Sequence, residues 1–494
     1  MAEEQYEQNL ILAAEDCDQE TFDKIHKFSR SDDRIISKLI AHGPVLLQGG
    51  RGSGKSALLI EAFSKLFPQN PEGSAIGIYL SLRHLPLLRS SGKDYETIFC
   101  GLLIERIRAL LREVPLEFNA EPVVGSIQSA IAQLSSDVGK RIVLMFDDAA
   151  HIGRETSLAE FFDIFRTLSS STVSCKATIY PGVTQFGTRF DVYNDATVVD
   201  VTRREDQKGF DRQFLEVIEA RFPKLKEFAP TASDLNLEKV AGFLGQSVLG
   251  NMRAFVFLCN AIQESAEQSL GFNLLTQSLL DLTSNYYWPL LEEVSPKLGK
   301  YTPMVEPARQ IANTLFQECG TSGKRFALVH RDVIARLSKP FEILEYVGFT
   351  ARRDVSRGLK SGGRGTRYAL SPCILLEFIQ GKRLTSDLFD RWRNDREEPF
   401  EFHVKGDKLA GVLLPEMVHT GELAILQEPI EKLGKSNAYP YGLTQNMMET
   451  LKSAEINTVR DLAETPDDKL DALPYIGPAK VKRIRNVVGQ AVWM

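Results

Sequence analysis

The sequence is short of the features that most quickly place a protein in a class. Its six cysteines (Cys17, Cys100, Cys175, Cys259, Cys319 and Cys373) stand far apart and form no CxxC pair. That spacing argues against a disulfide framework or thiolate cluster and for scattered buried thiols in a reducing compartment. Its seven histidines form no HExxH or comparable ligand spacing, so no protein-bound zinc is expected. No apolar run approaches the ~18 residues needed to span a bilayer. The start, MAEEQYEQNLILAAEDCDQE, is acidic and lacks the basic opening and apolar centre of a signal peptide. A cytoplasmic protein with no membrane partner is the expectation.

What is present is an ordinary globular composition, 43% hydrophobic and 25% charged, over 494 residues, which is long enough for several domains of roughly 100–200 residues each. The net charge of −6 conceals an asymmetry: Lys324 to Arg367 holds eleven Lys/Arg against four Asp/Glu. Such segregation predicts a polyanion-facing surface on one module.

One motif stands out. GGRGSGKS, from Gly49 to Ser56, fits GxxxxGK[ST], and its flanks fit too: PVLLQ before it reads as a short buried strand, ALLIEAFSKLF after it as a helix. The four glycines (Gly49, Gly50, Gly52, Gly54) let the backbone of a loop that also includes Arg51 and Ser53 turn its N–H groups onto phosphate oxygens. The helix that follows adds its positive end. Lys55 is expected to reach the β- and γ-phosphates of ATP, and the Ser56 hydroxyl to bind Mg²⁺. A second metal-side group is supplied by RIVLMFDDAAH, in which a buried strand delivers Asp147 and Asp148 at its carboxyl end, the edge where ligands bind in open α/β sheets. Asp147 would hold Mg²⁺ through water, and Asp148 would orient or deprotonate the attacking water. Glutamate is commoner than aspartate at this second position in hydrolytic members of the class, so slow hydrolysis is expected and a switch suits the pair as well as a motor.

Further strands are predicted at AIGIYLSL (Ala75–Leu82), SCKATIY (Ser174–Tyr180) and ATVVDV (Ala196–Val201), separated by helical stretches. Five strands alternating with helices make a three-layer α/β domain with a parallel sheet. Across about Asp32 to Phe378 the chain resembles the AAA+ ATPases of the origin-recognition-complex, or replication-initiator, family. The resemblance implies that a strand lies between the metal-binding strand and the phosphate loop. It also implies a role for GTRF (Gly187–Phe190), similar to the box from which such ATPases extend an arginine finger into a neighbouring subunit, with Arg189 at the finger position. LGNMRAFVFLCNAI (Leu249–Ile262) resembles the lid helix whose arginine senses the γ-phosphate, and Arg253 matches it. No polar residue at the end of the fourth strand stands out as a water-positioning sensor, Thr184 being a weak candidate.

Beyond the lid, helices over Ala308–Cys319, His330–Leu337 and Pro340–Phe349 precede a hairpin turning at KSGGRG, an order that resembles a winged helix. Arg357, Lys360, Arg364 and Arg367 would meet DNA phosphate there. From Tyr441 the chain resembles a tandem helix-hairpin-helix unit, similar to the C-terminal domain of the bacterial RNA polymerase α subunit. In such a unit Gly477 would let backbone N–H groups approach a phosphate, and Lys480, Lys482 and Arg483 would add charge. The family pattern expects glycine where Tyr475 and Glu455 stand.

The expected organisation is an ATPase core (1–205), a helical lid (206–298), a winged-helix-like basic domain (299–380), a linker or small adaptor (381–437) and a helix-hairpin-helix domain (438–494). Two functions compete. One is an ATP-controlled assembly, of copies of itself or related ATPase subunits, that binds double-stranded DNA. The other is a signal-transducing NTPase switch whose C-terminal modules bind a protein partner, for example in anti-phage defence.

Overall fold

The computed structural model describes residues 14–112, 114–150, 155–183, 186–231, 235–265, 269–393, 398–406, 408–416, 424–436, 439 and 442–493. Thr184 lies outside them.

Five strands, β1 (Val45–Gln48), β2 (Ala75–Ser81), β3 (Arg141–Ala150), β4 (Val173–Ile179) and β5 (Thr197–Asp200), form one sheet in the order β2-β3-β4-β1-β5, with every pairing parallel. β3 reads as an unbroken apolar run from Ile142 to Phe146, all fully buried, because helices cover both faces of the sheet's middle, whereas β4 buries Ser174, Lys176 and Thr178 among its apolar residues. β5 is an edge strand, and only Val199 of its four residues is buried. β4 lies between β1 and β3, pairing Val45 with Lys176 on one side and Val143 with Ser174 on the other. The carboxyl ends of β1, β3 and β4 therefore converge, and the helix Lys55–Ser64 starts above them. The α/β class and the inserted strand are as the residues and the resemblance imply.

A helical region follows, with helices Phe210–Arg221, Leu237–Ser247, Met252–Glu264 and Phe272–Leu282 and a minimal ribbon of β6 (Ala229–Pro230) and β7 (Ser269–Leu270). Next comes a sheet of β8 (Phe326–His330), β9 (Thr350–Gly358), β10 (Arg364–Leu370) and β11 (Phe400–Phe402), in the order β11-β8-β10-β9. β9 and β10 make the expected hairpin, which turns through Gly362 (φ 96°) and Gly363 (φ 83°). β8 was not expected. His330, read as part of a helix, closes this strand and caps the next helix, accepting a hydrogen bond from the Asp332 N–H at Nδ1, 3.2 Å.

Residues 381–437 form no separate unit among the described residues. The helix Ser386–Arg393 packs Phe389 and Trp392 into the main core, and β11 adds a parallel strand to β8. Ile425, Leu426, Ile430 and Leu433 belong to the C-terminal core instead. A three-residue strand and single-turn helices carry no periodicity by which a sequence could announce them. One hydrophobic cluster runs from Leu46 to Val412, and a second holds the C-terminal helices. These are Gln445–Ser453, Val459–Glu464, Asp467–Asp471 and Pro478–Trp493. The turns between them place Glu455 (φ 63°) and Tyr475 (φ 62°) in the left-handed region.

Candidate nucleotide-binding cleft

The loop Gly49–Ser56 leaves β1 and enters its helix through two left-handed glycines, Gly52 (φ 79°) and Gly54 (φ 88°). A side chain at Gly52 would be doubly excluded, since a Cβ there would lie 2.6 Å from Asn251 Oδ1 and 2.7 Å from Arg253 Cβ. The start of the helix Met252–Glu264 grips this loop directly: Asn251 Nδ2 donates to the Arg51 carbonyl (2.6 Å), and the Arg253 N–H donates to the Gly52 carbonyl (3.2 Å). The Arg51 N–H donates to the Tyr346 carbonyl at 3.1 Å, at the end of the helix Ser338–Val347. Below, Arg203 Nη1 donates to the Ser53 carbonyl (2.7 Å), and Nη2 pairs with Asp32 (3.1 Å). Elements before and after the sheet thus fix the loop from three sides.

The cleft above the loop is lined by charged and polar side chains, Glu15, Lys27, Lys55, Ser56, Arg83, Asp148, Tyr180, Arg203, Arg221 and Arg253, together with Ile25, His26, Phe28, Val217, Met252 and Val256. Its lining combines ionic and apolar side chains, the mixture that a nucleotide's phosphates and base require. Lys55 Nζ donates to the Gly49 and Gly50 carbonyls (2.8 and 3.1 Å) and lies 3.7 Å from the centre of the Tyr180 ring. Burial pushes its ammonium down to about 7, although Asp148 and Asp147 pull the other way.

Asp147 is held on all sides. Its Oδ2 accepts from Tyr79 (2.8 Å), and its Oδ1 accepts from Thr178 (2.9 Å) and from the Asp148 N–H (2.9 Å). Burial and then Asp148 raise its carboxyl above the usual range, while a hydrogen bond with Ser56 works against them. Asp148 sits at φ 52°, a conformation aspartate tolerates better than most residues. Arg83 Nε pairs with its Oδ2 at 2.5 Å. Arg83 also meets Glu15 at 3.0 Å, and burial raises the Glu15 carboxyl to about 7 against the pull of Arg83. Carboxylate oxygens of Glu15, Asp147 and Asp148 lie within 4.8 Å of one another.

The structure therefore brings together Gly49 to Ser56, Asp147, Asp148 and Arg253, residues that the sequence spreads over two hundred positions. It leaves Arg189 outside this cleft, 64% exposed and paired with Asp163 at 2.9 Å. Sequence reasoning missed Glu15, Arg83, Arg203 and the polar end of β4. Thr178 and Tyr180 both reach the aspartates, Tyr180 OH lying 3.4 Å from Asp148 Oδ1. A polar residue inside the apolar run of β4 was the available signal for Thr178. Glu15 had none, because it lies in a three-residue turn of helix.

The residues expected to meet DNA divide. Arg357, Lys360 and Arg364 are exposed on the β9–β10 hairpin. The tip is nonetheless engaged: Lys360 Nζ pairs with Glu398 (2.6 Å), and the Lys360 and Ser361 N–H groups donate to Glu401 (2.8 and 3.3 Å). Arg367 departs from expectation. It is 6% exposed, its guanidinium lies 3.6 Å from the centre of the Phe326 ring, and it faces Asp354 at 3.5 Å, because its position on β10 points it into the module. In the C-terminal unit Lys480 and Lys482 are exposed beside Gly477, whereas Arg483 Nη2 donates to the Gly442 carbonyl at 2.7 Å.

A parallel sheet in the order β2-β3-β4-β1-β5, with a GxxxxGKS loop leaving β1 and paired aspartates leaving β3, defines a P-loop domain of the AAA+ type. No protein-family model and no curated protein matches the sequence. Among solved structures, the chain is similar to a Cdc6 protein from Pyrobaculum aerophilum, at 11% identity over 75% of this chain and 97% of that one, TM-score 0.33. It is similar to the Aeropyrum pernix ORC1 protein in complex with DNA, at 13% identity over 76% and 95%, TM-score 0.33. It is also similar to a signal-transduction ATPase with numerous domains (STAND) from Pyrococcus horikoshii, at 13% identity over 74% and 44%, TM-score 0.30. At such TM-scores the fold assignment stands on strand order and loop, not on the likeness.

Proposed function

We propose that the chain is an ATP-binding, slowly hydrolysing AAA+-type switch that holds double-stranded DNA as a nucleotide-controlled assembly. The observation that carries the nucleotide reading is the convergence of Lys55, Ser56, Asp148 and Arg253 on one cleft that also has apolar lining, with the Asp147 carboxylate beside that of Asp148. Its donor set of a hydroxyl and carboxylates is all oxygen, which suits Mg²⁺; Ser56 and Asp147 would hold the ion, which would screen phosphate charge. Asp148 then orients or deprotonates water. A carboxylate held this closely by Arg83 must give up that partner to take a proton from water, which favours slow turnover.

Arg189, exposed and remote from its own cleft, serves a neighbouring copy or a related ATPase subunit. Residues 1–205, 206–298, 299–380 and 438–494 act as core, lid, winged-helix-like module and helix-hairpin-helix module. The hairpin's Arg357, Lys360 and Arg364 and the tail's Gly477, Lys480 and Lys482 take DNA phosphates. Such contacts are strongly salt-dependent and carry little sequence preference.

A second reading has its own support. Glu398 and Glu401 occupy the donors of the hairpin tip, which favours a protein partner over a polyanion. Duplex binding measured with ADP, ATP and a non-hydrolysable analogue across a salt series separates the two. Binding that depends on nucleotide and weakens with salt is expected; binding indifferent to both refutes the DNA reading.

A further inference from the structure

Arg51 is the third residue of the phosphate loop, a position the motif leaves open. It is 3% exposed and lines the cleft, and its Nε and Nη1 are buried without a hydrogen-bond partner. A buried guanidinium with unmet donors is costly unless something supplies acceptors. Its ion pair is with Glu293, and at 3.5 Å the contact is loose. Glu293 is more tightly bound elsewhere, since its Oε1 accepts from Lys297 Nζ at 2.5 Å. The same Nζ donates at 3.2 Å to the main-chain carbonyl of Gln490, in the last helix of the C-terminal unit. Tyr439, whose ring joins the C-terminal core, stands beside this cluster, its ring centre 5.7 Å from Lys297 Nζ. Burial would raise the Glu293 carboxyl, yet Lys297 and then Arg51 hold it below the usual range. Three contacts thus connect the phosphate loop to the helix that follows Gly477.

We infer that Arg51 exchanges Glu293 for nucleotide phosphate, and that this exchange loosens the seat of the C-terminal unit on Lys297. The inference rests on the nucleotide reading above and extends it to a regulated contact. With Arg51 drawn to phosphate, Glu293 keeps Lys297 as its counterion and pulls the ammonium from the Gln490 carbonyl that shares it. Phosphates are matched to a guanidinium with spare planar donors. Coupling of this kind is reciprocal, so whatever seats the C-terminal unit must weaken nucleotide binding by the same factor.

The test uses two substitutions in the full chain that ordinary damage would move in the same direction. Glu293→Gln removes the acid competing for Arg51 and is expected to tighten ATP binding about five- to tenfold. Lys297→Met leaves Glu293 with Arg51 as its one cationic partner, beside the Tyr439 hydroxyl, and is expected to weaken it by a similar factor. Hydrogen exchange supplies the reverse arm: saturating Mg-ATP should speed exchange of amides in residues 478–493 in the wild type, and not in Lys297→Met. Affinity shifts of the same sign in both variants, or unchanged exchange in a chain that binds ATP, overturn the inference. If the wild type binds no ATP, with Lys55→Ala as the matched control, the nucleotide reading falls and this inference falls with it.

Discussion

The nucleotide cleft and the basic segment Lys324–Arg367 are both dense in charge, but the charges are arranged oppositely. In the cleft, cations and carboxylates from widely separated stretches of chain converge on shared space. In the basic segment they mostly face partners within the protein. Arg325 and Arg353 clasp Glu205 at 2.8 and 2.7 Å, Arg352 pairs with Glu345 at 2.7 Å, and Lys339 with Glu342 at 2.7 Å. Arg336 donates to the Leu409 and Val412 carbonyls, and Arg367 covers the Phe326 ring. A local excess of seven positive charges thus shrinks to a short exposed set on the hairpin. Charge counted along a sequence measures a surface only after its internal partners have been subtracted.

The comparison can be broken from either side. The largest effect belongs to the cleft: Lys55→Ala should abolish measurable ATP binding, a loss of about a hundredfold or more for a charge-assisted phosphate contact, read by titration with a fluorescent nucleotide. Asp148→Asn should leave binding intact and cut turnover by about 10²- to 10⁴-fold. Asparagine accepts the left-handed backbone at this position, so the fold is preserved, and normal turnover would show that Asp148 is not the base.

In the basic segment the large effect is on stability instead. Burial opposes ionisation of Glu205, but Arg353 and Arg325 hold its carboxyl down at about 2, against an ordinary value of 4.5. A depressed acid stabilises the fold fully above its unfolded value. That contribution, at most about 3 kcal/mol, is lost as pH falls from 4.5 towards 2. Glu205→Gln should remove that pH dependence, measured by thermal unfolding across the window. The smallest effect separates surface from interior. Arg357→Ala should weaken duplex binding a few-fold and lower the slope of log affinity against log salt by about 0.9. Arg367→Met should leave that slope unchanged and lower the melting temperature.

How far each region could be read from its residues follows the same line. β1 to β5 were legible within a residue or two because each is a short stretch rich in apolar or β-branched residues bounded by turn-forming or polar ends. Lys55, Ser56, Asp147 and Asp148 were legible because loop and strand ends place them whatever the remaining packing does. The fate of Arg325 was not, because its acid lies 120 residues upstream on another module. Nor was that of Arg83, which meets Asp148 across 65 residues and Glu15 from a segment with no pattern of its own. Local chemistry can be read along the chain, but pairing between modules needs the fold.

The C-terminal turns add a consequence of another kind. Glu455 and Tyr475 are both wound left-handed where a residue without a side chain would rest more easily, and Tyr475 stands 89% exposed. Each therefore holds back on the order of 1 kcal/mol that glycine would release. The two hairpins keep their shape because the helices on either side impose it, and the turn residue follows. The letter at each turn thus reports less than its backbone angle does: a glutamate and a tyrosine hold one and the same left-handed conformation.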